Sequence, residues 1–98
     1  MNGAAEPEVT REEGPSKGRY VLRLDGHEAE LTYSRAGEGT IIIDHTGVPD
    51  GLRGRGAGRT LVARAVADAR AEGRRVVPLC PFARALIART PAWHDVLA

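Results

Sequence analysis

The chain of 98 residues has one cysteine, four aromatic residues, a single lysine and no apolar run near the ~20 residues of a bilayer span. Each shortage excludes something. With Cys80 alone, neither an intrachain disulfide nor a cysteine-cluster metal site can form, which suits a reducing compartment. With so few rings, the core must be built from Leu, Ile, Val and Ala. The N-terminus has no charged-then-apolar leader pattern, so a cytoplasmic, metal-free protein with no membrane partner is expected. Fourteen basic residues nearly cancel thirteen acidic ones, leaving a net charge of +1. A general nucleic-acid or membrane binder would carry far more positive charge. The length allows one domain, burying roughly 60–65% of its unfolded surface.

What is present is unevenly spread. Acids collect before Leu31 and arginines dominate from Arg53 to Arg89, with thirteen Arg in all. Residues 1–18 are polar, carry two prolines and show no apolar periodicity. They are expected to form a disordered tail, leaving 19–98 as the folded domain. "RYVLRL" places Tyr20, Leu22 and Leu24 on one face. Asp25-Gly26 then supplies a two-residue hairpin turn, and "HEAELTYS" alternates again with Ala29, Leu31 and Tyr33 inward. "TIIIDH", residues 40–45, is nearly continuous in apolar residues, as in a central strand.

From 57 to 72 the apolar positions Leu61, Val62, Ala65, Val66 and Ala69 recur at helical spacing, and Gly73 follows as a left-handed cap. "RVVPLC" reads as a short buried strand, and 82–89 as a second helix stopped by Pro91. The order predicts an α/β (α+β) fold: three antiparallel strands, a helix, a strand parallel to the third, and a C-terminal helix. Such a crossover is right-handed, and ligands of open α/β sheets sit at the carboxyl ends of the parallel strands.

"VPDGLRGRGAGRTLV", residues 48–62, lies at that point. A helix N-terminus leaves amides unpaired and carries about half a positive charge, which attracts phosphate. Gly54, Gly56 and Gly58 keep side chains clear of such a ligand, while Arg53, Arg55 and Arg59 can supply charge. An ATP-hydrolysing P-loop is excluded, because Arg53 and Arg59 occupy its first glycine and its lysine. The dinucleotide fingerprint needs another glycine spacing and an acidic partner. A bland glycine-rich connector, or a nucleotide or phosphate site of another kind, stays open on these residues alone.

"RGRGAG" fits [QR]-x-x-G-x-[GA]. With "HTGVP" before it, "VVPLCPF" after it and "TPAWHDVL" at the end, the chain from about 19 to 98 resembles short, single-domain members of the GNAT superfamily of N-acetyltransferases. The resemblance implies a minimal GNAT-like fold and acetyl-CoA as co-substrate. It implies that Val48 and its neighbours pair with pantetheine, and that Arg53, Gly54, Arg55, Gly56, Ala57, Gly58 and Arg59 hold the pyrophosphate. The strand of Val76 and Val77 would splay from that of Ile41–Ile43 to open a thioester slot. Two helices that usually build the acceptor site, and the usual final strands, are missing.

The expected activity is acetyl transfer to a small-molecule or protein amine by a monomer or small homo-oligomer. The alternative is a non-catalytic acyl-CoA-binding module. His45, at the end of the central strand, is the candidate general base; a hydrogen-bonded structural histidine is the plain reading. By the resemblance, Cys80 would face the thioester. It could be a nucleophile, a wall of the slot or a small core residue. Asp44 and Asp50 flank the kink that follows the central strand, where they could orient His45 or cap a turn. Arg84 and Arg89 could reach the adenosine 3′-phosphate, and Trp93 is expected to pack the C-terminal segment.

Overall fold

Strand β2 (Lys17–Leu24) and strand β3 (His27–Arg35) form the hairpin that the alternating sequence predicts. Its turn has Asp25 at φ 51° and Gly26 at φ 78°, the doubly left-handed geometry of a two-residue connection. Strand β4 (Thr40–Gly47) pairs antiparallel with β3. Helix α1 (Ala57–Ala71) crosses back to strand β5 (Arg75–Pro78), which is parallel to β4, and helix α2 (Pro81–Ala88) follows. Short 3₁₀ turns cover Asp50–Leu52 and Pro91–Val96. The computed structural model describes residues 7–98.

Both helices share one core with one face of the sheet. The buried stripe of α1, Leu61, Val62, Ala65, Val66 and Ala69, joins Tyr20, Leu22, Ala29, Leu31, Tyr33, Ile41 and Ile43 from the strands. Ala83, Leu86 and Ile87 extend the same cluster from α2. Each fully buried Leu, Ile or Val here stabilises by about 1.5–3 kcal/mol relative to exposure. The opposite face carries no helix. Val21 is fully buried there, flanked on β2 by Arg19, paired with Glu12 and Glu30, and by Arg23, paired with Glu28.

The expected disordered tail is corrected within the described residues. Strand β1 (Glu8–Glu13) pairs antiparallel with β2 from Glu8↔Arg23 to Glu13↔Gly18, so the sheet has five strands in the order β1-β2-β3-β4-β5. The antiparallel part thus has four strands where three were expected; residues 1–6 lie outside the described part. The sequence hides β1 because its anchor is a cation, not an apolar stripe. The Arg11 guanidinium sits 5.4 and 5.6 Å from the Tyr20 and Tyr33 ring centroids. It also bonds the Tyr33 hydroxyl at 3.0 Å and pairs with Glu72 at 2.5 Å, Glu13 at 2.8 Å and Asp68 at 3.4 Å. These contacts hold Arg11 protonated and keep the Glu72 carboxyl below its ordinary range.

Two irregularities shape the end of β4. Thr32 pairs with His45 while Tyr33 pairs with Ile43, so Asp44 is an extra, bulged residue. The splay expected at Val76 and Val77 also begins later. Those residues are paired with Ile41 and Ile42, and the ladder ends at Ile43↔Pro78. Beyond it Leu79 N–H and Cys80 N–H both donate to the Ile43 carbonyl, at 3.1 and 3.0 Å, as the chain turns into α2. Proline has no N–H to continue the ladder.

Candidate functional site

Because β5 leaves the sheet at Pro78, β4 runs on through Asp44–Gly47 with no partner strand on that side. This free edge leads through Val48 and the turn at Asp50–Leu52 into the glycine loop. Gly54 and Gly56 both have φ 76°, and Gly56 is the N-cap of α1. A side chain at either position would be strained. The first helical bond is donated by Thr60 N–H to the Gly56 carbonyl at 2.9 Å. The amides of Ala57, Gly58 and Arg59 therefore precede the intrahelical ladder and are free to meet an anion.

A groove of about 340 Å³ lies against this turn, lined by Val48, Leu52, Arg53, Gly54, Gly56, Ala57, Gly58, Arg59, Phe82 and Leu86. It brings together every loop residue singled out in the sequence except Arg55. Arg55 reaches sideways to Asp25, Nη2 to Oδ2 2.8 Å. Arg53 pairs with Asp50 at 3.0 Å, and Arg59 lies over Trp93 at 5.1 Å from the ring centroid. Leu52, Phe82 and Leu86 supply an apolar wall that the motif does not mention. Phe82 could have been noticed as the sole phenylalanine, at the start of the second predicted helix; it is 45% exposed. Gly58 is small because Phe82 is there, since a Cβ on Gly58 would fall 2.7 Å from the ring.

His45 and Cys80 lie on opposite sides of β4. His45 pairs with Thr32, on the face without helices, and is exposed. Thr46 pairs with buried Leu31 and faces the core, and Cys80 Sγ lies 3.5 Å from its hydroxyl oxygen. Burial pushes the Cys80 thiol up, but amide hydrogen bonds from Ala83 and Phe82, with Thr46, outweigh it and leave the thiol below its ordinary value. The sequence around Cys80 shows no cation; the start of α2 does that work instead.

Asp44 accepts a hydrogen bond from Ser34 Oγ at 2.6 Å. Arg84 turns back to the carbonyls of Pro78 and Leu79, at 3.3 and 3.4 Å, and Arg89 is exposed. Neither lines the groove. Trp93 packs on the core as expected. Among the described residues, no cluster of His, Cys, Asp and Glu is arranged to hold a metal ion, and no helix is long and apolar enough to cross a membrane.

The sheet parts beside an open helix start, with the glycine loop at the carboxyl end of β4, in a mixed α/β domain. The GCN5-related N-acetyl-transferase family matches residues 19–96, and the chain belongs to that family. A GCN5-like candidate N-acetyltransferase from Staphylococcus aureus, with an NMR structure, is similar at 31% identity and TM-score 0.72, over 93% of this chain and 87% of that one. No curated protein matches.

Proposed function

We propose that the chain is an acetyl-CoA-dependent N-acetyltransferase acting on an amine in the cytoplasm. The observation that carries this reading is the continuity of the free β4 edge with the glycine–arginine loop. Pantetheine amides would pair with the strand edge near Val48. The pyrophosphate would meet the amides of Ala57, Gly58 and Arg59, with the apolar wall of Phe82 and Leu86 alongside.

The thioester then lies in the fork, with Cys80 and Thr46 on its core side. The amine approaches from the helix-free face, where His45 stands. Its nitrogen attacks the thioester carbonyl, the C–S bond breaks, CoA leaves as thiolate, and the ammonium proton passes to His45. Direct transfer fits because His45 and Cys80 are separated by β4. The lowered thiol favours a second reading, in which Cys80 takes the acetyl group first and passes it on.

Because β1 turns straight into β2 at Gly14–Ser16, no helices stand where larger relatives build an acceptor site, and this supports the alternative of a binding module without turnover. Calorimetry with CoA and thiol release from acetyl-CoA with an amine panel separate the cases. Binding with turnover supports the enzyme, binding without turnover the module, and absence of CoA binding refutes both.

A further inference from the structure

The helix-free face of the sheet holds a hollow of about 720 Å³, within the roughly 300–1,000 Å³ usual for small-molecule sites. Thr32 and Ser34 of β3 line its middle, the β1–β2 turn borders it on one side and the bulged Asp44 on the other. Most of its charged groups are already paired. Glu12 meets Arg19 at 2.8 Å, and Glu13 meets Arg11 and Arg35. Lys17, the sole lysine, and Asp44 also line the hollow, and neither has an ion pair among the described residues. Asp44 accepts one hydrogen bond, from the Ser34 hydroxyl at 2.6 Å, and Ser34 is in turn the ladder partner of Lys17. A free cation on β2 and a free anion on β4 therefore flank one space, with β3 between them. Neighbouring strands lie about 4.8 Å apart, so the two backbones stand about 10 Å apart.

We propose that this hollow binds a free α-amino acid, with its carboxylate on the Lys17 ammonium and its ammonium on the Asp44 carboxylate. A ligand of one charge leaves the other side chain unmatched: a diamine meets Asp44 but is repelled by Lys17, and a simple carboxylic acid meets the reverse. A zwitterionic head group answers both, and the hydroxyls of Thr32 and Ser34 between them can donate or accept. Where the ligand goes next rests on the acetyltransferase reading above, under which the amino acid is the amine acceptor. Asp44 directly precedes His45 on the free edge of β4, and Thr32 is the ladder partner of His45. The ammonium held at Asp44 is thus beside the candidate base and the fork. The tight β1–β2 turn, closed by Gly14 N–H on the Lys17 carbonyl at 2.8 Å, brings Lys17 to the hollow where larger relatives place helices. Lys17 and Asp44 are both exposed, so each contact is worth a two- to fivefold change in affinity, the scale of about 0.5–1 kcal/mol for one exposed ion pair.

The test is amide NMR of the full chain, free and with CoA added, titrated with the common L-amino acids. Ethylamine and phenethylamine serve as the counterparts of alanine and phenylalanine that lack the carboxylate. Amino acids are expected to shift the amides of Lys17, Ser34 and Asp44, and to bind more tightly than the matched amines. Lys17→Gln is expected to erase that preference. Asp44→Asn, which can still accept the Ser34 bond, is expected to weaken amino-acid binding roughly two- to fivefold. In thiol-release assays the same variants should raise KM for the amino acid more than they lower kcat. No shift at these amides with any amino acid would overturn the proposal. So would ethylamine binding as tightly as alanine, or a preference that survives Lys17→Gln. If CoA fails to bind while amino acids still shift these amides, the acetyltransferase reading falls and the amino-acid site stands.

Discussion

Replacing Arg11 by alanine removes the side chain that fastens β1 to the rest of the fold. Its stem and guanidinium are only 19% exposed, between two tyrosines and facing Glu72, Glu13 and Asp68. A hydrogen bond to a charged group contributes about 1.5–3 kcal/mol when well shielded. The bonds to Glu72 and Glu13 are partly exposed, at 35% and 32%, and earn less than that. Stacking on the rings adds about 0.5–1 kcal/mol. The Tyr33 hydroxyl keeps its bond to Glu13 at 2.6 Å and Tyr20 keeps Asp68 at 2.7 Å, so neither phenol is orphaned.

The net loss is about 2–3 kcal/mol, which for a domain of this size lowers Tm by roughly 10–20 °C. Circular dichroism melts of the variant and of a chain lacking residues 1–14 are the assay; the truncation should lose at least as much. A shift under about 3 °C in both would refute the argument and return β1 to the status of a loose tail.

The same contacts give a pH dependence. The Tyr33 hydroxyl, with Arg11 and Arg35, holds Glu13 below its ordinary value, and Arg11 does the same for Glu72. Their stabilisation is complete above the unfolded carboxylate range and is lost as pH falls through the folded values. Melts from pH 7 to pH 3 should show this loss, and Arg11→Ala should flatten it. Gly56→Val should abolish CoA binding in a folded protein, since residue 56 needs φ 76° beside the groove; calorimetry that finds full affinity puts the ligand elsewhere. His45→Ala is expected to reduce acetyl transfer about 10²-fold and Cys80→Ala less than about tenfold, while a stoichiometric acetyl-Cys80 adduct by intact mass, discharged by amine, would reverse that order of importance. Arg59 lies on the sole tryptophan, so CoA should change Trp93 fluorescence; an unchanged spectrum at saturation would show that Arg59 stays on the ring.

Local chemistry was enough for the regular elements from β2 onward. The alternation of Tyr20, Leu22, Ala29, Leu31 and Tyr33, the Asp25-Gly26 turn and the stripe of α1 are each written in consecutive residues, because strand and helix periods are properties of short segments. The glycine–arginine loop was legible for the same reason, since its backbone demands glycine within a few positions. What remained invisible depended on residues distant in sequence. Strand β1 forms because Arg11 finds Tyr20, Tyr33 and Glu72, and no local pattern announces a cation as a core anchor. Arg55 meets Asp25, and His45 parts from Cys80 across β4, only once a bulge at Asp44 and the end of pairing at Pro78 are in place. Composition could name the groups of the candidate site; register, bulge and ion pairs decided which of them face the same space.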